Sequence, residues 1–477
     1  MKKRLLAALL ASAAVLSFAG CNSNNSSTAS GSNADNSSTP ADNSSTPADD
    51  SSTPADDSSA VDDTPATELA DDGDTLTILA WEENSDIVKM VDYFCKTKGY
   101  DSSKVVFKGV GAKGENAREQ YKQYLKGNDD ADLMIFDCDW VAEYINNDEL
   151  TVPYSAIGIE KSDFTEAFAY TLDYGTNDNG VFKAASFQAT PGGFVYRADL
   201  AQEYLGVSTP EEMQALISDW DKFQETGANL YEASGSKTSL QATEEGLWQV
   251  FQSNRTQSWV VDGKLVMDNA SDFYDIAKKM KDEKTLAGVP QWQDAWYNAI
   301  MDGSALGDFV PTWGLTTTGG GSILENFTNK GDENLGQNMA ICEGPSSWFW
   351  GGSYFGVTPK CDNKTLAKEF IEFFCKDAET MKGYAAETGD FMNNKTVMSE
   401  ATISNKLLNG QDHYKVLVKV LDNLDLSNKL SKYDSVIKSK FNDSVKGYLD
   451  GTYATKDDAI NAFKGEVASV YPDIVIE

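Results

Sequence analysis

The chain has 477 residues, with 40 Lys+Arg against 74 Asp+Glu, a single histidine and a formal net charge of −34. So acidic a surface argues against nucleic acid as a partner, because phosphate binding needs clustered Lys and Arg. One histidine and no G-x-x-x-x-G-K-[ST] loop argue against most metal, catalytic-triad and nucleotide-hydrolysing chemistry.

In chain order, Met1-Lys2-Lys3-Arg4 supply a short positive region. The apolar run from Leu5 to Phe18 is too short to span a hydrocarbon core of about 30 Å, and small residues precede Cys21. This order predicts a cleaved secretory signal over residues 1–20 rather than a membrane-spanning helix. Phe18-Ala19-Gly20-Cys21 resembles the bacterial lipobox, which implies that Cys21 is lipidated and anchors the chain to the outer face of the cell membrane. Residues 21–74 carry a repeated Ala-Asp-(Asn/Asp)-Ser-Ser-Thr-Pro unit, no aromatic residue and no Lys or Arg. Such a stretch cannot bury enough apolar surface to offset its chain entropy, so it reads as an acidic, disordered tether. Its end-to-end distance is roughly 40 Å. Setting aside the signal (+3) and the tether (−12) leaves −25 on residues 75–477.

From Thr75 the pattern becomes that of a folded domain. Leu76 to Ala80 reads as a strand, and Ile87, Val88, Val91 and Phe94 lie on one helical face. Lys104–Lys108 and Ala131–Phe136 read as strands flanking a helix over Glu115–Leu125, and Gly193–Arg197 as another strand. Strands alternating with helices predict α/β units on a mainly parallel sheet. Thr209-Pro210-Glu211-Glu212 has the form of a capped helix start, Asn363–Lys376 that of an amphipathic helix, and His413 to about Lys464 is helical and charged. About 400 residues rich in Phe, Tyr and Trp predict two lobes rather than one. After Cys21 the cysteines are Cys95, Cys138, Cys342, Cys361 and Cys375, an odd number with no C-x-x-C pair. They read as buried packing residues rather than a disulfide scaffold.

Leu76-Thr77-Ile78-Leu79-Ala80-Trp81-Glu82, the strand and turn Ala131–Trp140, and Gly192-Gly193-Phe194-Val195-Tyr196-Arg197-Ala198-Asp199-Leu200 occur in one order with three further segments. These are Ala299–Gly314, Trp350-Gly351-Gly352-Ser353-Tyr354 and the Leu366–Phe374 helix. In that order they resemble the extracellular solute-binding proteins of ABC importers, in the carbohydrate-binding family that includes maltose-binding protein. The resemblance spans nearly all of residues 75–390. It implies a two-lobe α/β fold of the periplasmic-binding-protein type (type II) with a ligand cleft between the lobes. The expected lobes are about 75–185 with 337–390, and about 190–330 with 395–477. It further implies a monomer without cofactor or catalytic activity that captures a carbohydrate, in the first place an oligosaccharide. Lobe closure would then deliver the sugar to the permease subunits.

Sites after strand ends are where such folds bind ligands, and sugars take carboxylates for their hydroxyls and flat aromatic faces for their rings. The candidates are therefore Trp81, Glu82 and Glu83 after the first strand, and Asp137, Asp139 and Trp140 after the third. Trp313 lies among Gly, Pro and Thr, and Trp348, Trp350 and Gly351 lie in a run of three aromatics. Glu244 and Trp248 are candidates on the second lobe. For Asp137 and Asp139 a capping role is as natural as ligand contact. Trp292 and Trp296, four apart, read first as helix packing, and Arg197 reads as a partner of Asp199. Polyamine binding by Glu82, Glu83, Asp137 and Asp139 is the alternative, and a polysaccharide-acting surface enzyme is a third reading.

Overall fold

The computed structural model describes residues 68–81, 86–111, 114–127, 130–316, 322–422 and 429–476, together with Leu424 and Leu426. Cys21, the repeats, Glu82, Glu83 and the Gly319–Gly321 run lie outside the described residues.

Strands β1 (Leu76–Ala80), β2 (Val105–Gly109), β3 (Leu133–Asp137), β4 (Ala184–Ser186), β5 (Gly192–Arg197) and β6 (Ser239–Gln241) are followed by the short β7 (Val260–Val261) and β8 (Lys264–Leu265). The series ends with β9 (Ala305–Pro311), β10 (Met339–Cys342) and β11 (Ser353–Val357). The first sheet has the order β2-β1-β3-β11-β4 and the second β10-β5-β9-β6. In the first, β1 pairs in parallel with β2 and β3, through Leu76↔Val105 and Ile78↔Leu133. Every residue of β1 is buried, as befits a strand covered on both faces. The expected mainly parallel sheet is corrected further along: β11 runs antiparallel between β3 and β4, and β5 is antiparallel to both β9 and β10. Parallel pairing needs only a local β-helix-β unit, whereas these antiparallel strands arrive from distant parts of the chain.

Helix signals that rest on local chemistry appear where expected. Thr209 caps the Pro210–Leu216 helix in a reciprocal box with Glu212. The Lys364–Cys375 helix buries Leu366, Phe370, Ile371, Phe373 and Phe374. Arg197 forks onto Asp199 at 2.8 and 2.7 Å.

Two apolar cores underlie the sheets. One gathers Phe94, Phe136, Tyr154, Phe355 and Phe370 around the first sheet. The other gathers Phe194, Trp248, Trp259, Phe273 and Phe441 beside the second. The chain crosses between sheets at 187–191 and again between Cys342 and Ser353. The expected boundary near residue 337 falls before β10, which pairs with β5 in the second sheet. At the other end the fold begins before Thr75. Leu69 is buried in the first core, Gly73 N–H donates to Asp362 O at 2.9 Å, and Asp71 accepts from the Thr365 N–H and hydroxyl at 2.9 and 2.6 Å.

Candidate functional site

Residues just after β3 (Cys138 and Asp139) and just before β11 (Phe349 to Gly351) line one cleft, the position open α/β sheets favour for ligands. Asp137 ends β3 and caps the Cys138–Ile145 helix, accepting the Asp139 N–H at 2.9 Å. Beside it, Cys138 N–H donates to Gly352 O at 2.9 Å. Gly351 and Gly352 have φ of +80° and +117°, a conformation that a side chain would strain. A Cβ on Gly351 would also lie 3.2 Å from Trp313 Nε1. Thr190 donates its hydroxyl to Gly351 O at 2.8 Å and accepts the Trp350 N–H at 3.0 Å through its carbonyl.

From the second lobe, the Glu244–Gln252 helix presents Gln249 and Gln252 to the cleft, followed by Ser253 and Arg255. The Arg255 guanidinium lies 3.6 Å from the centre of the Trp259 ring and donates to Val266 O and Met267 O, both at 3.1 Å. The Asp434–Asp450 helix, packed on the second core through Phe441, contributes Asp434 and Lys438. Lys438 Nζ reaches Asp139 of the first lobe at 3.0 Å. In this arrangement the cleft is nearly closed, with a cavity volume of about 30 Å³.

Charge in this cleft is concentrated and partly desolvated. Burial, reinforced by the neighbouring Asp139, pushes the Asp137 carboxyl up to about 7. Burial alone would depress the Lys438 ammonium, but the Asp139 and Asp434 carboxylates hold it above the ordinary lysine range. Burial raises Asp434 in spite of Lys438. Burial also raises the Cys138 thiol, so it is a packing group rather than a nucleophile.

The expected site residues separate into two groups. Asp139, Trp350 and Gly351 line the cleft, Asp137 caps the helix beside it, and Trp313 packs on Trp350. The Trp313 and Trp350 rings meet edge to face at 5.1 Å, and Trp313 Nε1 donates to Trp350 O at 3.0 Å. Trp81 is half-buried against Trp140 at 6.4 Å. The structure corrects the expectation for Trp140, Trp248 and Trp348, which are buried. Trp140 packs on Tyr121 and Tyr144, and Trp248 lies 4.5 Å from Phe441. Trp348 has no exposed surface and touches Phe309, where a Cβ on Gly192 would collide with it. Glu244 is buried too, with neither carboxylate oxygen hydrogen-bonded.

Sequence reasoning missed Arg255, Asp434 and Lys438, none of which lies in a segment that carried the family resemblance. The signal available was weak: one Arg beside aromatics, and a Lys four residues after an Asp in a helix. Trp292 was read as helix packing, yet it precedes the Asp294–Met301 helix and is half exposed, whereas Trp296 is buried with Nε1 on Asp308 at 2.7 Å.

No protein-family model and no curated protein sequence matches the chain. Solved structures do. An extracellular solute-binding protein of family 1 superposes with a TM-score of 0.70 at 16% identity, over 83% of this chain and 99% of that one. The chain has the fold of an extracellular solute-binding protein. The galacto-N-biose/lacto-N-biose I-binding protein of an ABC transporter from Bifidobacterium longum, solved with lacto-N-biose, matches at TM-score 0.66 and 15% identity, over 85% and 100%. The ABC-transporter-associated binding protein from B. animalis subsp. lactis, solved with β-1,6-galactobiose, matches at TM-score 0.63 and 17% identity, over 85% and 99%. The solute-binding fold accounts for the two sheets, the crossings between them and the position of the cleft.

Proposed function

We propose that this chain is the substrate-binding lipoprotein of an ABC importer, which captures an oligosaccharide between its lobes and hands it to the permease without chemical change. The observation that carries the reading is the meeting of carboxylates and aromatics in one interlobe cleft. Asp139 and Trp350 both line it, with Asp137 beside Asp139 as the helix cap and Trp313 packed on Trp350. Carboxylates accept hydroxyl hydrogen bonds and indole faces take the C–H face of a pyranose. Glu82 and Glu83 follow β1 and join the same proposed set. The solute-binding fold, and the sugars named with similar structures, point the same way. The lipid anchor rests on Cys21 and the small residues before it, and the protein works as a monomer on the extracytoplasmic face of the membrane.

Polyamine capture has less to stand on, because Lys438, Arg255 and Lys429 line the same space and would repel a polycation. A thermal-shift screen with mono- and oligosaccharides and with spermidine tests the proposal. A sugar at a hundred times its Kd adds about 2.7 kcal/mol of stability. Stabilisation by spermidine alone, weakening with salt, would replace the carbohydrate reading.

A further inference from the structure

We propose that Trp292 forms an outer subsite beyond the cleft, on which an additional pyranose unit of a longer oligosaccharide stacks; this rests on the carbohydrate reading above. Trp292 is 50% exposed. Its φ of +65° lies in the left-handed region, which bulky L-residues rarely adopt. An exposed indole and an unfavourable backbone thus coincide at one residue, and local rules are broken together mainly where function requires it.

The ring is held firmly. It lies 13° from parallel with Trp313 at 6.0 Å, meets Trp296 edge-on at 5.3 Å and leans on Trp350 at 5.9 Å. Its neighbours are themselves tied down: Trp313 by Trp350 O at 3.0 Å and Trp296 by Asp308 at 2.7 Å. The series therefore runs outward from the buried Asp308 to one free aromatic surface. Trp350 lines the cleft and Trp292 is the next ring outward, so a chain leaving the cleft past Trp350 meets Trp292. A rigid, solvent-facing indole takes the apolar face of a sugar with little ordering cost.

Isothermal titration calorimetry on the purified protein tests this, with α-1,4-glucans, β-1,4-glucans and β-1,6-galactans of two to six units. In the series that binds, we expect a trimer or longer oligomer to bind at least tenfold more tightly than the dimer. Trp292→Ala should cut that ratio to threefold or less, and Trp292→Phe should restore most of it, with melting curves confirming that both variants fold. An unchanged ratio in Trp292→Ala, or equal affinities for short and long chains in the wild type, overturns the outer subsite while the carbohydrate reading stands. If no member of any series binds the wild type, the carbohydrate reading falls and takes the subsite with it.

Discussion

Glu244 occupies the first turn of its helix with both carboxylate oxygens buried and unbonded. Burial, and then the neighbouring Glu245, push it up to about 8. A carboxyl raised in this way keeps its proton in the folded chain after the unfolded chain has lost it. Its stabilising contribution is therefore full below about 4.5, the unfolded value, and is lost as pH rises towards 8. Asp308 and Asp137, both pushed up to about 7 by burial, act with the same sign. Glu244→Gln should accordingly raise the melting midpoint at pH 8, by about 1–3 kcal/mol of stability, and change little at pH 5. Equal effects at the two pH values would show that the carboxyl is not titrating. Among the tryptophans, Trp348→Ala should cost about 3–5 kcal/mol, as for a core ring. Trp313→Ala should cost less and weaken sugar binding at least tenfold, read by thermal melts and calorimetry. Residue type alone announced aromatic and acidic chemistry in this chain. It did not separate Trp348 from Trp350, two positions apart, because which face of a segment is covered is decided by elements far away in sequence.

At the scale of elements, the folded chain begins earlier than its composition suggests. Leu69 fills a place in the first core and Asp71 supplies acceptors to the start of the Lys364–Cys375 helix. Burial of one leucine contributes about 1.5–3 kcal/mol, and loss of such a capping acceptor costs about 1 kcal/mol. A chain starting at Asp74 should therefore unfold at lower denaturant than one starting at Glu68, and identical midpoints would place the boundary back at Thr75. Local signals served well where local chemistry decides: the Thr209 cap, the amphipathic Lys364–Cys375 helix, the first strands. They could not reveal that β11 inserts antiparallel between β3 and β4, since that pairing joins segments more than 150 residues apart. Leu69 was hidden for a similar reason, as a single apolar residue in an acidic, repetitive run.

For the whole molecule, one ion pair spans the cleft from Asp139 on the first lobe to Lys438 on the second. The pair is partly solvated, so its contribution to the closed arrangement is about 1 kcal/mol. Lys438→Met should shift the ligand-free protein towards an open form roughly fivefold, seen as a larger radius of gyration in X-ray scattering. An unchanged radius would mean that other contacts set closure. Cys21→Ala should release the protein from the membrane fraction, and retention there would end the lipoprotein proposal. The docking of Leu69–Gly73 bears on this as well. Among the described residues, Leu69–Gly73 dock on the first lobe, against its core and the start of the Lys364–Cys375 helix. A pull on the proposed tether would therefore be borne by the first lobe and its sheet rather than by the crossings between the sheets. In the proposed lipoprotein the second lobe would then be the free jaw, closing on a ligand without a load from the anchored end.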